Sequence, residues 1–142
     1  MNAGSTPSDL AALRSRAIDA ARQAYAPYSN LRVGAALRSA RGEIYAGCNV
    51  ENGAYPIGGC AERGAIASAV QAEGKEFRLA AIAVAAFAAD GTPLPVSPCG
   101  ACRQALVEFG ADAQVTFLQA DGSWIEVDAG ALLPYRFILP GQ

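Results

Sequence analysis

The run Leu79-Ala80-Ala81-Ile82-Ala83-Val84-Ala85-Ala86-Phe87 carries no charge, no polar side chain and no glycine. A strand that is apolar at every position has no face to show to water, so it belongs inside a sheet covered on both sides. The flanking segments supply the covers. Thr6-Pro7-Ser8-Asp9 reads as a helix start, with Thr6 as N-cap, Pro7 at the first helical position and Asp9 reaching back. Leu10, Leu13, Ala17, Ala21 and Ala24 follow at helical spacing, so a helix is expected to run to Ala24, with Arg14, Arg16 and Arg22 on a solvated face. Tyr25-Ala26-Pro27-Tyr28-Ser29-Asn30 breaks it. Val33–Leu37 and Ile44–Ala46 around Arg41-Gly42 read as a hairpin. Asn49–Gly59 reads as a loop, and Cys60–Ala72 as a helix closed by Gly74. Asp90–Pro95 is a second loop, Cys99–Phe109 a further helix ended by Gly110, and Val115–Leu118 with Trp124–Val127 a last pair of strands. The order α-β-β-α-β-α-β-β predicts an α/β sheet packed between helices. A chain of 142 residues fits one domain, 1–142.

Composition narrows the function. The chain has no histidine, which removes Ser-His-Asp hydrolases, Cys-His proteases and H-E-x-x-H zinc enzymes. A proton shuttle here must be Glu, Asp, Lys, Tyr, Cys or a metal-bound water. With 11 basic against 13 acidic residues and a net charge of -2, nucleic acid is a poor partner. Charged residues make up 17% of the chain, below the ~25% usual in soluble domains, which points to surface buried in an oligomer. Met1–Leu10 lacks the basic and apolar regions of a signal peptide, and no apolar run is long enough to span a membrane. A cytoplasmic location is therefore expected. There the four cysteines Cys48, Cys60, Cys99 and Cys102 stay reduced, and metal or catalytic use outranks disulfides.

Two segments concentrate the chemistry: Cys60-Ala61-Glu62 and Pro98-Cys99-Gly100-Ala101-Cys102. Each lies where a loop meets a predicted helix N-terminus, whose positive end favours thiolate. Cysteines three apart on a helix share a face and can grip one ion, with Cys60 as a third ligand. Three protein ligands leave a fourth tetrahedral position for water, as in catalytic rather than structural zinc sites. Zinc lowers the pKa of that water toward ~7. Glu62 could then reach it, but residues two apart in a helix point about 200° from each other. The pairing therefore demands that Cys60 sit at the helix start. Arg63 and Arg103 directly follow ligands and could donate hydrogen bonds to the sulfurs. Spacing alone leaves other uses open: a closed four-thiolate site with Cys48, a redox pair, or buried core cysteines.

The pattern ligand-x-Glu followed by Pro-Cys-x-x-Cys is the zinc deaminase signature in its cysteine form. The chain further resembles the small homotetrameric cytidine deaminases in Tyr25-Ala26-Pro27-Tyr28-Ser29, Val33-Gly34-Ala35-Ala36-Leu37, Gly47-Cys48-Asn49-Val50-Glu51-Asn52, Cys60-Ala61-Glu62-Arg63, Ser97-Pro98-Cys99-Gly100-Ala101-Cys102-Arg103-Gln104 and Leu132-Leu133-Pro134. These runs cover nearly the whole chain in order. The resemblance implies a three-layer α/β/α sandwich with a mixed five-stranded sheet and one zinc per subunit on Cys60, Cys99 and Cys102. It implies hydrolytic deamination of cytidine and deoxycytidine in pyrimidine salvage, with zinc-bound hydroxide attacking C4 and Glu62 shuttling protons.

The resemblance also implies the substrate contacts. The Ala61 amide and the Ser97 carbonyl contact the base, and Asn49 and Glu51 hold the ribose. At i and i+2 of an extended segment, Asn49 and Glu51 point to one side, which suits that role. Tyr55 and Phe137 match positions that reach a neighbouring subunit's site, and Cys48 matches a cysteine that is not a ligand. The sequence departs from the pattern at Leu31, where many members have a phenylalanine on the base. An aliphatic side chain there forgoes an aromatic contact worth ~0.5–1.5 kcal/mol. It also departs in Tyr135–Gln142, which keeps Phe137 but replaces the small residues before it. Three rivals are weighed against this reading. They are a deaminase of another aminopyrimidine nucleoside or nucleoside antibiotic, a polynucleotide deaminase, and a non-catalytic zinc-binding interaction domain. The net charge and the single lysine, Lys75, speak against the second.

Overall fold

The computed structural model describes residues 7–141, with side chains from Leu10 onward. In chain order it comprises α1 (Pro7–Ala21), β1 (Arg32–Ser39), β2 (Ile44–Cys48), α2 (Ala61–Glu73), β3 (Leu79–Phe87), β4 (Pro93–Leu94), α3 (Gly100–Phe109), β5 (Gln114–Leu118) and β6 (Trp124–Asp128). Single 3-10 turns lie at Tyr55–Ile57, Gly74–Glu76 and Ala129–Leu132. The expected caps Thr6 and the Asp9 side chain lie outside the described residues.

The apolar run forms β3 at its expected bounds and lies in the middle of a sheet ordered β2-β1-β3-β5-β6. It pairs antiparallel with β1 and parallel with β5, so the sheet is mixed. Its alternate residues serve two cores. Ile82, Val84 and Ala86 face the layer of α2 and α3, while Ala81, Ala83 and Ala85 face α1. This is the physical reason the run tolerates no polar residue: period two puts half of it into each core. The sheet has six strands rather than five. Within the segment read as the loop Asp90–Pro95, Pro93 and Leu94 pair with Phe87 and Ala86 at the edge of β3.

Two glycines set how closely the helices lie on the sheet. A Cβ on Gly34 of β1 would fall 2.0 Å from the carbonyl oxygen of Ala17 in α1. A Cβ on Gly47 of β2 would fall 2.5 Å from the amide of Ala65 in α2. Both helices thus rest backbone to backbone on the hairpin.

The first helix ends at Ala21 rather than Ala24. There the bonds Arg22 N–H to Asp19 O and Gln23 N–H to Ala20 O tighten the chain into a turn. Nor is Arg14 on a solvated face. Its side chain is 20% exposed, lies over the Trp124 ring, and donates to Thr116 Oγ1 and to Glu126 Oε2 at 2.8 Å. Arg16 and Arg22 stay exposed as expected, and Arg14 differs because Trp124 and Glu126 of β6 lie within its reach, a contact helical spacing does not encode. No helix among the described residues is long and apolar enough to cross a membrane.

Candidate active site

Loops carry Cys60 and Cys99 to the first turns of α2 and α3. Both residues are N-caps with extended backbone: Cys60 at φ -81, ψ 154 and Cys99 at φ -68, ψ 168. The demand placed on Cys60 is therefore met. Outside the helix its side chain is free of the 100° step, and Glu62, in the first turn, can share its surroundings. Cys102 is buried one turn into α3, and its N–H donates to Cys99 Sγ at 3.5 Å. The sulfurs of Cys60, Cys99 and Cys102 all lie within 4.8 Å of one another. Zinc–sulfur bonds of about 2.3 Å in a tetrahedron need sulfurs roughly 3.8 Å apart, so the cluster fits a zinc with little adjustment. Cys48 is not in the group. It pairs across the hairpin with Gly34, which faces α1, so its side chain leaves the sheet on the side opposite α2.

Electrostatics in the cluster follow from burial. Burial pushes the Cys102 thiol well up, and the nearby Glu62 and Cys60 charges push it further. Burial also opposes ionisation of Cys99, but the Cys102 amide, the Cys102 and Cys60 thiols and the Ala101 amide together outweigh it and hold that thiol below its ordinary value. Glu62 is 4% exposed, and burial raises its carboxyl above the usual range despite its own amide, the Cys102 thiol and Arg63. Arg63 donates to Cys60 Sγ at 3.6 Å, as expected. Arg103 does not donate to sulfur. It donates to Pro98 O at 2.8 Å, Leu132 O at 2.9 Å and Ser97 Oγ at 3.1 Å. The side chain leaves α3 on the face turned toward the last 3-10 turn, and it ties that turn to the Ser97-Pro98-Cys99 loop.

Cys60, Cys99 and Glu62 border a cavity of about 280 Å³, together with Leu31, Asn49, Glu51, Ala61 and Ser97. Val33, Val50, Gly58, Gly59 and Val96 complete its wall and had no signal in the sequence beyond their neighbours. A larger hollow of about 780 Å³ opens at the other end of the strands, beside Arg38, Arg78 and Asp128, and contains none of these groups.

The segment Asn49–Glu51 is less loop-like than expected. Val50 bridges to Tyr25 on one side and to Gly59 on the other, which pins it beside the Cys60 loop. Asn49 and Glu51 both border the cavity, yet their polar groups are partly engaged. Asn49 accepts from Val33 N–H at 2.7 Å and donates to Leu31 O at 2.8 Å. Glu51 accepts from the Tyr28 N–H at 2.9 Å, from the Ser29 N–H at 3.1 Å and from the Ser29 hydroxyl. The Ser29 hydroxyl is the main reason its carboxyl lies below the usual range. This grip of Ser29 on Glu51 is a relation the sequence did not disclose.

Tyr55 lies in a neighbouring hollow with Tyr28, Ser29, Glu51 and Asn52, is 74% exposed, and meets Tyr28 edge to face at 5.8 Å. Phe137 is 66% exposed and does not border this chain's cavity; its carbonyl accepts from Gln104 at 3.2 Å.

A sequence model described as the cytidine and deoxycytidylate deaminase zinc-binding region matches residues 7–118. A cytidine deaminase of Sporosarcina psychrophila is 43% identical over 130 residues, 91% of this chain and 91% of its own. A blasticidin-S deaminase of Bacillus cereus is 30% identical over 107 residues, 74% of this chain and 76% of its own. Among solved structures, the fold is similar to a cytidine deaminase from Burkholderia pseudomallei at a TM-score of 0.78 and 44% identity, covering 89% of this chain and 98% of that one.

Proposed function

The chain belongs to the cytidine and deoxycytidylate deaminase family, and from that premise we propose that it hydrolyses cytidine and deoxycytidine to uridine and deoxyuridine with release of ammonia. The observation that carries the reading is the cluster of Cys60, Cys99 and Cys102, two of which border the same cavity as the buried Glu62. Cys60, Cys99 and Cys102 would hold one zinc per subunit. When bound, the ion supplies a water acidic enough to ionise near neutral pH. Glu62 takes a proton from the attacking water and places it on N3 of the pyrimidine, then takes the remaining proton from the new C4 hydroxyl and gives it to the amine, which leaves as ammonia while the C4 carbonyl forms. Its burial suits this work, because a raised carboxyl gives and takes protons nearer neutrality. Arg63 draws charge from Cys60, and Arg103 holds the Cys99 loop in place.

The Ala61 amide, at the start of α2, and the Ser97 carbonyl frame the base, with Leu31 as an aliphatic wall. Asn49 and Glu51 take the sugar. Tyr55 and Phe137, exposed on their own chain, reach a neighbour's site in a homotetramer with shared active sites. Its partners are otherwise small nucleosides, with no nucleic acid or membrane, in the cytoplasm and in pyrimidine salvage. The wider identity to cytidine deaminases than to the blasticidin-S enzyme favours cytidine over an antibiotic nucleoside.

Incubating the zinc-loaded protein with cytidine tests this. Stoichiometric ammonia and uridine are expected. Silence with cytidine, with one zinc per chain confirmed, would move the reading to another aminopyrimidine.

A further inference from the structure

The turn at Tyr28-Ser29 has no role in the site as proposed, yet it grips a residue that does. Glu51 Oε1 accepts from two backbone amides, Tyr28 at 2.9 Å and Ser29 at 3.1 Å, and Oε2 accepts from the Ser29 hydroxyl. An ionised carboxylate offers about four acceptor sites. Both on Oε1 are taken and one on Oε2, so one remains, on the oxygen that Ser29 holds. The Ser29 hydroxyl also accepts from Leu31 N–H at 3.0 Å. Asn49 takes the other end of the same residue, donating to Leu31 O. Leu31 is thus held at its amide by Ser29 and at its carbonyl by Asn49, while its side chain lines the cavity.

We propose that Ser29 is a positioning residue for sugar recognition: its hydroxyl aims the one free acceptor site of Glu51 at a ribose hydroxyl. The inference rests on the sugar role proposed for Glu51. Ser29 touches no reacting atom, so its effect falls on binding and not on the chemical step. Truncating it leaves the two amides on Oε1 and opens no cavity, because the residue is exposed. The carboxylate then keeps its anchor but loses its direction.

The test compares cytidine with 2′,3′-dideoxycytidine, which lacks the ring hydroxyls Glu51 would hold, in the zinc-loaded protein. Ser29→Ala should raise KM for cytidine about tenfold, the loss of one hydrogen bond to a charged group, with kcat held within about twofold. Its kcat/KM for the dideoxynucleoside should stay within about twofold of the parent protein. Ser29→Thr, which keeps the hydroxyl, should recover most of the loss. In a Glu51→Gln background, Ser29→Ala should add little, because the two act as a unit. Equal losses on both substrates, a fall in kcat at unchanged KM, or full additivity with Glu51→Gln would overturn the assignment. If Glu51→Gln itself leaves KM for cytidine unchanged, the sugar role of Glu51 falls and Ser29 falls with it. If Glu51→Gln raises KM and Ser29→Ala does not, the role of Ser29 alone is lost.

Discussion

Glu62 pairs almost complete burial with an ionisable carboxyl, and two outcomes follow from that single placement. Glu62→Gln should keep one zinc per chain and lose about 10²–10⁴ in turnover, the usual contribution of a positioned proton carrier. Zinc analysis beside ammonia release checks this; near-normal turnover would refute the proton-carrying role. The second outcome concerns the metal-free protein. The folded carboxyl titrates above its ordinary value of 4.5, with burial as the chief cause. Between the two values the folded chain keeps a proton that the unfolded chain has lost, so folding stability falls as pH rises through that window. Glu62→Gln removes the fall. In denaturant titrations it should therefore be more stable than the parent at pH 7, with the gap closing toward about pH 4. Asn49 makes a different point. Its amide bonds Val33 and Leu31 across the start of β1, so Asn49→Ala should cost about 1–2 kcal/mol of stability as well as raising KM. A KM effect with unchanged unfolding would mean that the side chain serves the sugar alone.

At the scale of elements, the site depends on how α2 and α3 are seated. Gly47 lets α2 rest on β2, and α2 carries Cys60 and Glu62 at its start. Gly34 lets α1 rest on β1, on the face away from Cys60, Cys99 and Cys102. Gly47→Ala and Gly34→Ala both force backbone apart and should each cost about 1–3 kcal/mol or more. Only Gly47→Ala should also weaken zinc retention against a chelator, since it alone displaces a ligand-bearing helix. Equal zinc loss in both variants would mean that the sheet transmits the strain to either face. Arg103 plays the matching part for α3: with three acceptors on two segments, it locks the chain before Cys99 to the 3-10 turn Ala129–Leu132.

For the molecule as a whole, zinc should bind as a folding partner and not as an accessory. Three thiols packed within 4.8 Å repel one another once ionised, and a metal relieves that repulsion. Chelation should lower the melting temperature, and Cys99→Ser should lose both zinc and the metal-dependent part of stability; an unchanged melting curve after complete zinc removal would contradict this. Tyr55, Ile57, Phe137, Ile138 and Leu139 are all exposed, and the proposed homotetramer would cover apolar side chains of this kind. Sedimentation should find four chains together, and Phe137→Ala should raise KM more than it lowers kcat if the ring stacks on a neighbour's base. An active monomer would rule out shared sites.

Much of this was legible in the chain before any coordinates. The apolar run of β3 required a sheet covered twice; the cysteines at loop–helix junctions allowed a thiolate metal site beside Glu62 among other uses, and the resemblance of the surrounding runs to the cytidine deaminases singled that one out. Those conclusions rest on local rules of period, capping and ligand spacing, which act over a few residues and are therefore written in order along the chain. The structure alone decided which groups meet across the chain. It turned Cys48 to the far face of the sheet, sent Arg103 to carbonyls instead of sulfur, drew Arg14 onto β6, and closed Ser29 on Glu51. Each of these depends on strand register or on the approach of two distant segments. Register and approach are set by the packing of the whole core, and no short stretch of sequence records them.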